Sequence, residues 1–320
     1  MEKVTSGEAM TAKDSKDRAY VCELCGTSLS DGKGALRRHH KDHFDRSRQL
    51  LLISCASCGM TYLNEKFVFQ EEPVGYVSDP EFTKSWGDQV QMHRYEIERF
   101  VRYFNKQHPG TESSQKLHLL EFGFGTGSFL RQSVELNKFD VVGVEKDVRA
   151  CSSVRKSLGI PVFETLSEAK SQFGQNYFDL IYSAHTLEHI VNLKGVLRQL
   201  NSLLKPGGLF VIIVPFFSKL AERFEAFYLD HISSNFNYSL IQNGHINYLT
   251  PKTLGRYLEE AGFSQLVHVP GIYGEETLRN IGLQRPCVIR SFFRLQEILF
   301  PLMVIIGGAL LLTMYASKQK

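Results

Sequence analysis

The sequence predicts an α/β fold in which a doubly wound, mostly parallel sheet follows a small cysteine-containing module. Three observations lead to this prediction. An apolar strand at 117–122 runs into a turn with three alternating glycines and then into a helix. A second strand, 139–144, is followed directly by an acidic residue about 20 residues further on. Two Cys-x-x-Cys pairs near the N-terminal end indicate a module that is stabilised by metal.

Length and charge set the outer limits on function. With 320 residues, 43% of them hydrophobic, the chain can bury one large core or one core plus a small appended module. Its 37 basic and 34 acidic residues leave a net charge of only +3, so no global field favours nucleic acid as a partner. Residues 1–19 are polar and lack the apolar stretch of a secretory signal, which predicts a disordered tail and a cytoplasmic protein.

Four of the six cysteines are paired in sequence, Cys22 with Cys25 and Cys55 with Cys58. In a reducing compartment such pairs indicate metal more readily than disulfides. Each pair is followed by a glycine, so that two thiolates can face one cation, and two pairs complete a tetrahedral shell. The sequence therefore predicts structural Zn²⁺ at these four cysteines, within a zinc-ribbon-like module at residues 20–66.

A mixed cysteine and histidine site is one alternative, and a module without metal is another. The spacing from Cys22 and Cys25 to His39 and His43 follows the pattern of a two-cysteine, two-histidine finger with altered loop lengths. That arrangement leaves the second cysteine pair without a metal, so the four-cysteine site is favoured, while either histidine stays open as a replacement ligand. The basic run at 37–41 could contact phosphate, but a solvated loop is the simpler interpretation.

The glycine-rich turn predicts a cofactor pocket. Gly123, Gly125 and Gly127 follow Glu121 in sequence, and glycines let the backbone approach a ligand at the start of a helix. Glu145, after the next strand, is placed to accept hydrogen bonds from both hydroxyls of a ribose. Dinucleotide sites use Gly-x-Gly-x-x-Gly instead, and a preceding acid would attract an ammonium group. The pattern therefore favours S-adenosylmethionine as the cofactor.

With these residues, further segments resemble the class I S-adenosylmethionine-dependent methyltransferases, especially their type 11/23-like subgroup. The segments are FDLIYS at 178–183, HTLEHI at 185–190, LLKPGGLFVIIVP at 203–215, GHINYLTP at 244–251 and AGF at 261–263. The resemblance covers roughly residues 86–316. It implies a seven-stranded Rossmann-like sheet with an antiparallel last strand, methyl transfer from S-adenosylmethionine, and a cofactor site that includes Ser183.

This resemblance, together with the cysteine pairs, predicts how the chain is divided into parts. The expected parts are a tail at 1–19, the ribbon at 20–66, a linker and N-terminal helix at 67–110, and the methyltransferase domain at 111–320 with a cap insertion near 216–244. The insertion is rich in aromatic residues, so it is a candidate lid or acceptor-binding wall, and a packed cap without substrate contact is the alternative. Apolar residues at helical spacing over 89–104 predict the N-terminal helix.

Residues 183–190 contain the motif His-x-x-Glu-His, formed by His185, Glu188 and His189. On a helix this is the spacing of a zinc peptidase, but its position after the fourth strand of a methyltransferase-like sheet argues against that function. Methyltransferases of catechol-like hydroxyls resemble this stretch but carry Glu-x-x-Glu-His, whose three side chains hold a divalent ion. Because His185 replaces the first glutamate, a bound metal stays open here, and a hydrogen-bonded Glu188–His189 pair is favoured.

Methyl transfer to a hydroxyl requires an aligned acceptor and a group that takes its proton. The catalytic candidates are His185, Glu188, His189 and His245, with His231 as a further histidine in the insertion. Each histidine could equally have a structural role. No Asn-Pro-Pro-Tyr-like stretch follows the fourth strand, which weakens N-methylation of planar amides or bases. The predicted acceptor is therefore a hydroxyl of a small molecule, a sugar or a lipid-linked intermediate.

The alternative function is that of a binding protein. In that case the ribbon would recognise nucleic acid or protein, and the methyltransferase-like domain would serve as a scaffold. The intact acidic and glycine residues of the predicted cofactor pocket favour the enzyme, because a scaffold has no need of them. The sequence carries no strong nucleic-acid signal and none for a particular oligomeric state.

The segment 298–316 is free of charged residues over 19 positions, the minimum length for a membrane span. A strand is the favoured alternative, because 309–316 would supply the seventh strand after a break at 307–308. The other predicted strands are at 117–122, 139–144, 161–163, 178–183, 208–215 and 264–270. A preceding helix at 292–305 could rest on a membrane surface, with Arg290 and Arg294 near head groups.

Overall fold

The computed structural model describes residues 20–30, 33–42, 48–67, 90–109, 116–217, 244–269 and 311–319 of the chain. Several predictions concern residues outside these ranges: the tail at 1–19, His43, most of the insertion (218–243, with His231), and the helix at 292–305.

Eleven strands and six α-helices lie within the described ranges. The strands are β1 (Ala35–Lys41), β2 (Gln49–Cys55), β3 (Thr61–Leu63), β4 (Leu117–Phe122), β5 (Phe139–Val144), β6 (Val162–Phe163), β7 (Phe178–Ala184), β8 (Leu204–Pro215), β9 (Asn247–Tyr248), β10 (Phe263–Val269) and β11 (Leu311–Lys318). The helices are α1 (Val90–Gln107), α2 (Ser128–Glu135), α3 (Val148–Leu158), α4 (Leu166–Phe173), α5 (Leu193–Leu203) and α6 (Pro251–Glu260), and 3₁₀ turns occur at Asn64–Phe67 and Leu187–His189.

Seven strands form the central sheet in the order β10-β11-β8-β7-β4-β5-β6. The neighbours from β8 to β6 are parallel, whereas β11 is antiparallel to both β8 and β10. The predicted doubly wound, seven-stranded sheet with an antiparallel last strand is therefore confirmed. The chain direction across the sheet reverses between β4 and β7, and in such sheets ligands bind outside the carboxyl ends of the strands at that point.

Helices cover both faces of the sheet because its central strands are apolar on both sides. In β8 the side chains of Phe210, Ile212 and Val214 belong to the hydrophobic cluster that includes α4, α5 and α6. The alternate residues Val211 and Ile213 belong to the opposite cluster, which includes α1, α2 and α3. This two-residue alternation follows from strand geometry, and continuous apolar runs are typical of strands that are buried on both faces.

Local capping residues fix where the helices near the candidate site begin. Asp147 accepts hydrogen bonds from two backbone amides at the start of α3. Thr165 and Glu168 form a capping box on α4, and Thr250 caps α6 just before Pro251. Each cap stabilises its helix by about 0.5–2 kcal/mol, so the turns after β5 and β9 have defined paths.

A second sheet, of order β1-β2-β3-β9, contains the cysteine ribbon. Its last strand comes from a distant part of the chain, since Thr61 pairs with Tyr248 and Tyr62 pairs with Asn247. This pairing was not among the strands predicted from the sequence. The ribbon also shares one hydrophobic core with α5 and α6, so it packs directly on the sheet domain.

Buried polar contacts reinforce this junction. The hydroxyl of Tyr62 lies 3.0 Å from that of Tyr257, and burial raises the pKa of both phenols, so they stay protonated. Glu23 accepts from the backbone amide of Lys194 at 2.7 Å and pairs with the buried ammonium of Lys66 at 2.9 Å. Because breaking a buried ion pair leaves an uncompensated charge, these contacts hold the ribbon in one orientation.

The C-terminal apolar segment contributes a strand, as predicted. Leu312, Met314 and Ala316 in β11 are almost fully buried, and the ammonium of Lys318 donates to the carbonyl oxygens of Asn201 and Leu204 at 2.9 and 3.1 Å. No helix in the described part of the chain is both long and apolar enough to cross a membrane.

Deletion of residues 309–320 should prevent formation of a soluble, folded protein. The deletion removes β11, which lies between β8 and β10 in the sheet order, and exposes two strand edges, which promote aggregation. Size-exclusion chromatography and circular dichroism would test this, with deletion of residues 319–320 alone as the control. A monodisperse deletion variant with native circular dichroism would contradict an essential role of β11.

Candidate active site and cysteine cluster

The parallel register brings the predicted cofactor residues to one edge of the sheet. Glu121 in β4 lies beside Gly143 in β5 and beside Tyr182 in β7. Because parallel strands end at the same edge, Glu145 and Ser183 also come to this position. The structure therefore brings together the acids and the glycine turn that were selected from the sequence.

The glycine-rich turn after β4 is a tight passage in which two glycines are required. Gly123 has φ +76°, and a Cβ atom there would lie 2.2 Å from Oγ1 of Thr186. Gly127 has φ +77°, and a Cβ atom there would lie 2.6 Å from Cγ2 of Val154 in α3. Both positions need a backbone conformation that side chains disfavour, and both need the space.

Glu145 is held by two backbone amides. The amide of Gly125 donates to its Oε2 at 2.9 Å, and the amide of Asp147 donates to its Oε1 at 3.1 Å. A carboxylate has about four acceptor positions, so two of them remain for a ligand. The carboxylate is thus fixed between the turn after β4 and the start of α3, and it can still accept further hydrogen bonds.

Glu121 is a buried acid at this edge with one oxygen that lacks a hydrogen-bond partner in the described residues. It is 5% exposed, and its Oε2 has no hydrogen-bond partner within the described residues. Burial raises its pKa well above the usual value, and the negative charges of Glu145 and Glu96 raise it further. A positively charged ligand group would therefore favour the ionised form of Glu121.

Two neighbouring polar residues were missed from the sequence, and both lie on α1. Glu96 accepts a hydrogen bond from the hydroxyl of Tyr182 at 2.9 Å. His93 is buried, and its Nε2 lies 2.9 Å from Oγ of Ser128, the first residue of α2. The sequence has no motif that would have singled out either residue. Oγ of Ser183 is buried without a partner in the described chain.

His185 occupies a strained position directly after β7. Its φ of +52° is in the left-handed region, which costs a non-glycine residue about 1–3 kcal/mol and is concentrated at functional sites. Its backbone amide donates to the carbonyl of Ile213 in β8 at 2.9 Å. Its Nδ1 atom lies 3.7 Å from Oε1 of Glu188, which is longer than a hydrogen bond.

The residues after His185 do not form the helix of a zinc peptidase. Leu187–His189 is a three-residue 3₁₀ turn, and α5 begins four residues later at Leu193. Glu188 in this turn is 2% exposed. Burial alone would raise its pKa, but the imidazoles of His185, His189 and His245 outweigh burial and lower the pKa.

His245 joins this group through backbone contacts. The Nδ1 atom of His189 lies 2.8 Å from the carbonyl oxygen of Gly244, and the amide of Ile246 donates to the carbonyl of Glu188 at 2.9 Å. The rings of His189 and His245 are 4.9 Å apart. The four catalytic candidates His185, Glu188, His189 and His245 are therefore neighbours in space, although the last is far away in sequence.

The four predicted zinc ligands converge in the ribbon. The Sγ atoms of Cys22 and Cys58 are 3.5 Å apart, as are those of Cys25 and Cys55, and all four lie within 4.8 Å of one another. A hydrogen bond from Cys58 lowers the pKa of the Cys22 thiol to about 4 despite burial. Four converging sulfurs, one already prone to ionise, fit a tetrahedral zinc ion.

A family model described as a methyltransferase domain matches residues 90–269, more than half of the chain. The chain belongs to the class I S-adenosylmethionine-dependent methyltransferases. The match includes α1 and most of the sheet but leaves out the ribbon and β11. The methyltransferase fold predicted from the sequence is thereby confirmed.

Curated relatives of this methyltransferase differ in the atom they methylate. The chain is 27% identical to phosphoethanolamine N-methyltransferase 3 of Arabidopsis thaliana over 53% of its own length and 39% of the relative. It is 28% identical to a ubiquinone biosynthesis O-methyltransferase of Paramagnetospirillum magneticum over 38% of its own length and 52% of the relative. The chain thus spans about half or less of the length of these two relatives.

Solved structures support the fold. The plantazolicin methyltransferase BamL, solved with a triazolic desmethylPZN analogue and SAH, aligns with a TM-score of 0.50 and 17% identity. That alignment covers 75% of this methyltransferase and 89% of BamL.

We predict one structural zinc ion at the four cysteines of the methyltransferase ribbon. Cys55→Ser should remove most of that zinc, because a three-thiolate shell is incomplete. His39→Ala should leave the zinc in place, since His39 is exposed on β1 and stands outside the sulfur cluster. Elemental analysis of the purified variants would measure both, and zinc loss from His39→Ala with retention in Cys55→Ser would instead support the mixed site.

Proposed function

We propose that the chain transfers a methyl group from S-adenosylmethionine to a hydroxyl of a small molecule, a sugar or a lipid-linked intermediate. The observation that supports the cofactor is the pair Glu121 and Glu145 at the ends of β4 and β5. One of these acids is buried with an oxygen that has no hydrogen-bond partner among the described residues, and the other is fixed by backbone amides. Together they offer a cation acceptor and a diol acceptor at one edge of the sheet.

The residues present fit this cofactor. Glu121 would receive the ammonium group of its methionine part, which would favour ionisation of this buried acid. Glu145 would accept hydrogen bonds from the two ribose hydroxyls. The positive φ angles of Gly123 and Gly127 give the turn a tight path at the start of α2, and the ligand would lie along its backbone.

This reaction requires few catalytic groups from the protein. When bound, the cofactor supplies an electrophilic methyl group on a sulfonium. The protein must align the acceptor and take its proton. His185 is the proposed base, because it follows β7 at the cofactor edge and its Nδ1 lies 3.7 Å from the buried carboxylate of Glu188. That carboxylate would orient the imidazole and stabilise it once it carries the proton.

A hydroxyl acceptor is proposed on two grounds. The segment Ser183-Ala184-His185 stands where an amide-binding Asn-Pro-Pro-Tyr stretch would support N-methylation. The histidines and Glu188 gathered there supply bases for an O–H group, whereas an amine that is already neutral needs none.

Glu145→Ala should weaken the binding of S-adenosylmethionine and S-adenosylhomocysteine. Loss of a charge-assisted hydrogen bond costs about 1.5–3 kcal/mol, equivalent to a rise in Kd of about 10- to 150-fold. Isothermal titration calorimetry would measure the change, with Glu259→Ala as a matched control because Glu259 is exposed on α6. Failure of the unmodified chain to bind either compound would refute the proposed activity.

His185→Ala should lower kcat by about 10²–10⁴-fold while leaving the Kd for S-adenosylhomocysteine unchanged, as expected for loss of a general base. The acceptor would first be found by incubating the chain with ¹³C-methyl-labelled cofactor and panels of hydroxylated small molecules, sugars and lipid-linked compounds. Carbon NMR of the product distinguishes O-methyl from N-methyl and C-methyl groups. A labelled N-methyl or C-methyl product would contradict the hydroxyl proposal.

A further inference from the structure

Lys66 connects the cysteine ribbon to the backbone of residues 187–191, the turn that follows β7. It lies directly after β3 and is 6% exposed. Its ammonium group donates to the carbonyl oxygen of Val191 at 2.7 Å and lies 3.5 Å from that of Ile190. It also pairs with the carboxylate of Glu23 at 2.9 Å. An ammonium group has three N–H donors, which is enough for these three contacts.

The 187–191 turn receives its hydrogen bonds from the ribbon side of the molecule. Its carbonyl oxygens that accept from Lys66 or from residues 246–247 are those of Leu187, Glu188, Ile190 and Val191. The donors at 246–247 are the backbone amide of Ile246, at 2.9 Å, and the side-chain amide of Asn247, at 3.2 and 2.7 Å. The turn is too short to satisfy these carbonyls as a helix does, so its path depends on outside donors.

The two halves of the candidate site therefore differ in what holds them. On the cofactor side, Glu145 is fixed by the amides of Gly125 and Asp147, which belong to the sheet domain. On the acceptor side, Oε1 of Glu188 lies 3.7 Å from Nδ1 of His185, and the backbone that carries Glu188 is held from the ribbon side. A change in the ribbon contact should affect proton removal more than cofactor binding.

We propose that Lys66 is a positioning residue for methyl transfer. It fixes the end of the 187–191 turn, and this keeps the carboxylate of Glu188 beside His185, the proposed base. Charge-assisted hydrogen bonds are about twice as strong as neutral ones, and burial strengthens them further. The inference rests on the methyl transfer proposed above. Cofactor binding thus depends on the sheet, and proton removal depends on the ribbon as well.

A purely structural role of Lys66 leads to a different expectation. Glu23 accepts from the backbone amide of Lys194 on α5, so the ion pair of Lys66 with Glu23 also attaches the ribbon to the sheet domain. If this ion pair were the whole role, loss of either partner would be equally harmful. If the carbonyl contacts matter, only the loss of the ammonium group should disturb the turn.

Three variants separate these two roles. Lys66→Met/Glu23→Gln removes both charges, so neither is left buried and unpaired, and it should lower kcat by about 10- to 100-fold because the reacting groups are misplaced. Glu23→Gln keeps the ammonium group and should keep kcat near that of the unmodified chain. Lys194→Met is the matched control, since the ammonium group of Lys194 pairs with Glu260. The Kd for S-adenosylhomocysteine, measured by calorimetry, should be unchanged in all three variants.

A spectroscopic readout does not require the acceptor. In protein labelled with ¹³C and ¹⁵N in its histidines, the ring signals of His185 are those that disappear in His185→Ala. Lys66→Met/Glu23→Gln should shift these signals, because Glu188 changes its position relative to the ring. Glu23→Gln and Lys194→Met should leave them in place.

Several outcomes would overturn the proposal. These are an unchanged kcat or unchanged His185 signals in Lys66→Met/Glu23→Gln, an equal loss of kcat in Glu23→Gln, and a loss of S-adenosylhomocysteine binding in the double variant, since Lys66 would then support the fold as a whole. A different result separates this inference from the proposed function. If the unmodified chain binds no S-adenosylhomocysteine but the His185 signals still respond to loss of Lys66, the proposed function fails while the control of the turn by Lys66 stands.

Discussion

The short pairing of β3 with β9 is the contact on which the geometry of the candidate site depends. Both backbone polar groups of Ile246 form hydrogen bonds. Its amide donates to the carbonyl of Glu188, and its carbonyl accepts from the amide of Leu63 in the ribbon. The next residue, Asn247, donates to the carbonyls of Leu187 and Ile190 on either side of Glu188. The cysteine ribbon therefore holds the 3₁₀ turn and His245 in register, and it is a structural part of the site.

At the cofactor edge, the folded protein carries an electrostatic cost that a positively charged ligand would relieve. Glu96, Glu121 and Glu145 are close enough for their charges to act on one another, and burial adds to the penalty for Glu121. Backbone amides offset part of this cost at Glu145 and the Tyr182 hydroxyl offsets part at Glu96, but Oε2 of Glu121 has no such partner in the described chain. Sites that are kept ready for a charged ligand commonly sacrifice stability in this way.

Local sequence patterns were sufficient to predict the sheet. They could not predict the contacts between segments that lie far apart in the chain. Glu121 and Glu145 could be selected because each ends an apolar strand at a fixed distance from a glycine turn, and strand counting identified β11. The pairing of β9 with β3 could not be predicted, since two residues have no periodicity and their partners lie far earlier in the chain. The same limit applies to the contact of Glu96 with Tyr182 and to the meeting of His245 with Glu188, because the partners lie far apart in the sequence.

The position of β11 has a consequence for how the chain is made. In the sheet β11 lies between β8 and β10, yet both of these neighbours precede it in the sequence. A ribosome produces the chain from its N-terminal end, so the long apolar edge of β8 is translated about 95 residues before the strand that covers it. During that interval β8 has no β11 beside it, and an unpaired strand edge is where a nascent chain is most prone to pair with other chains.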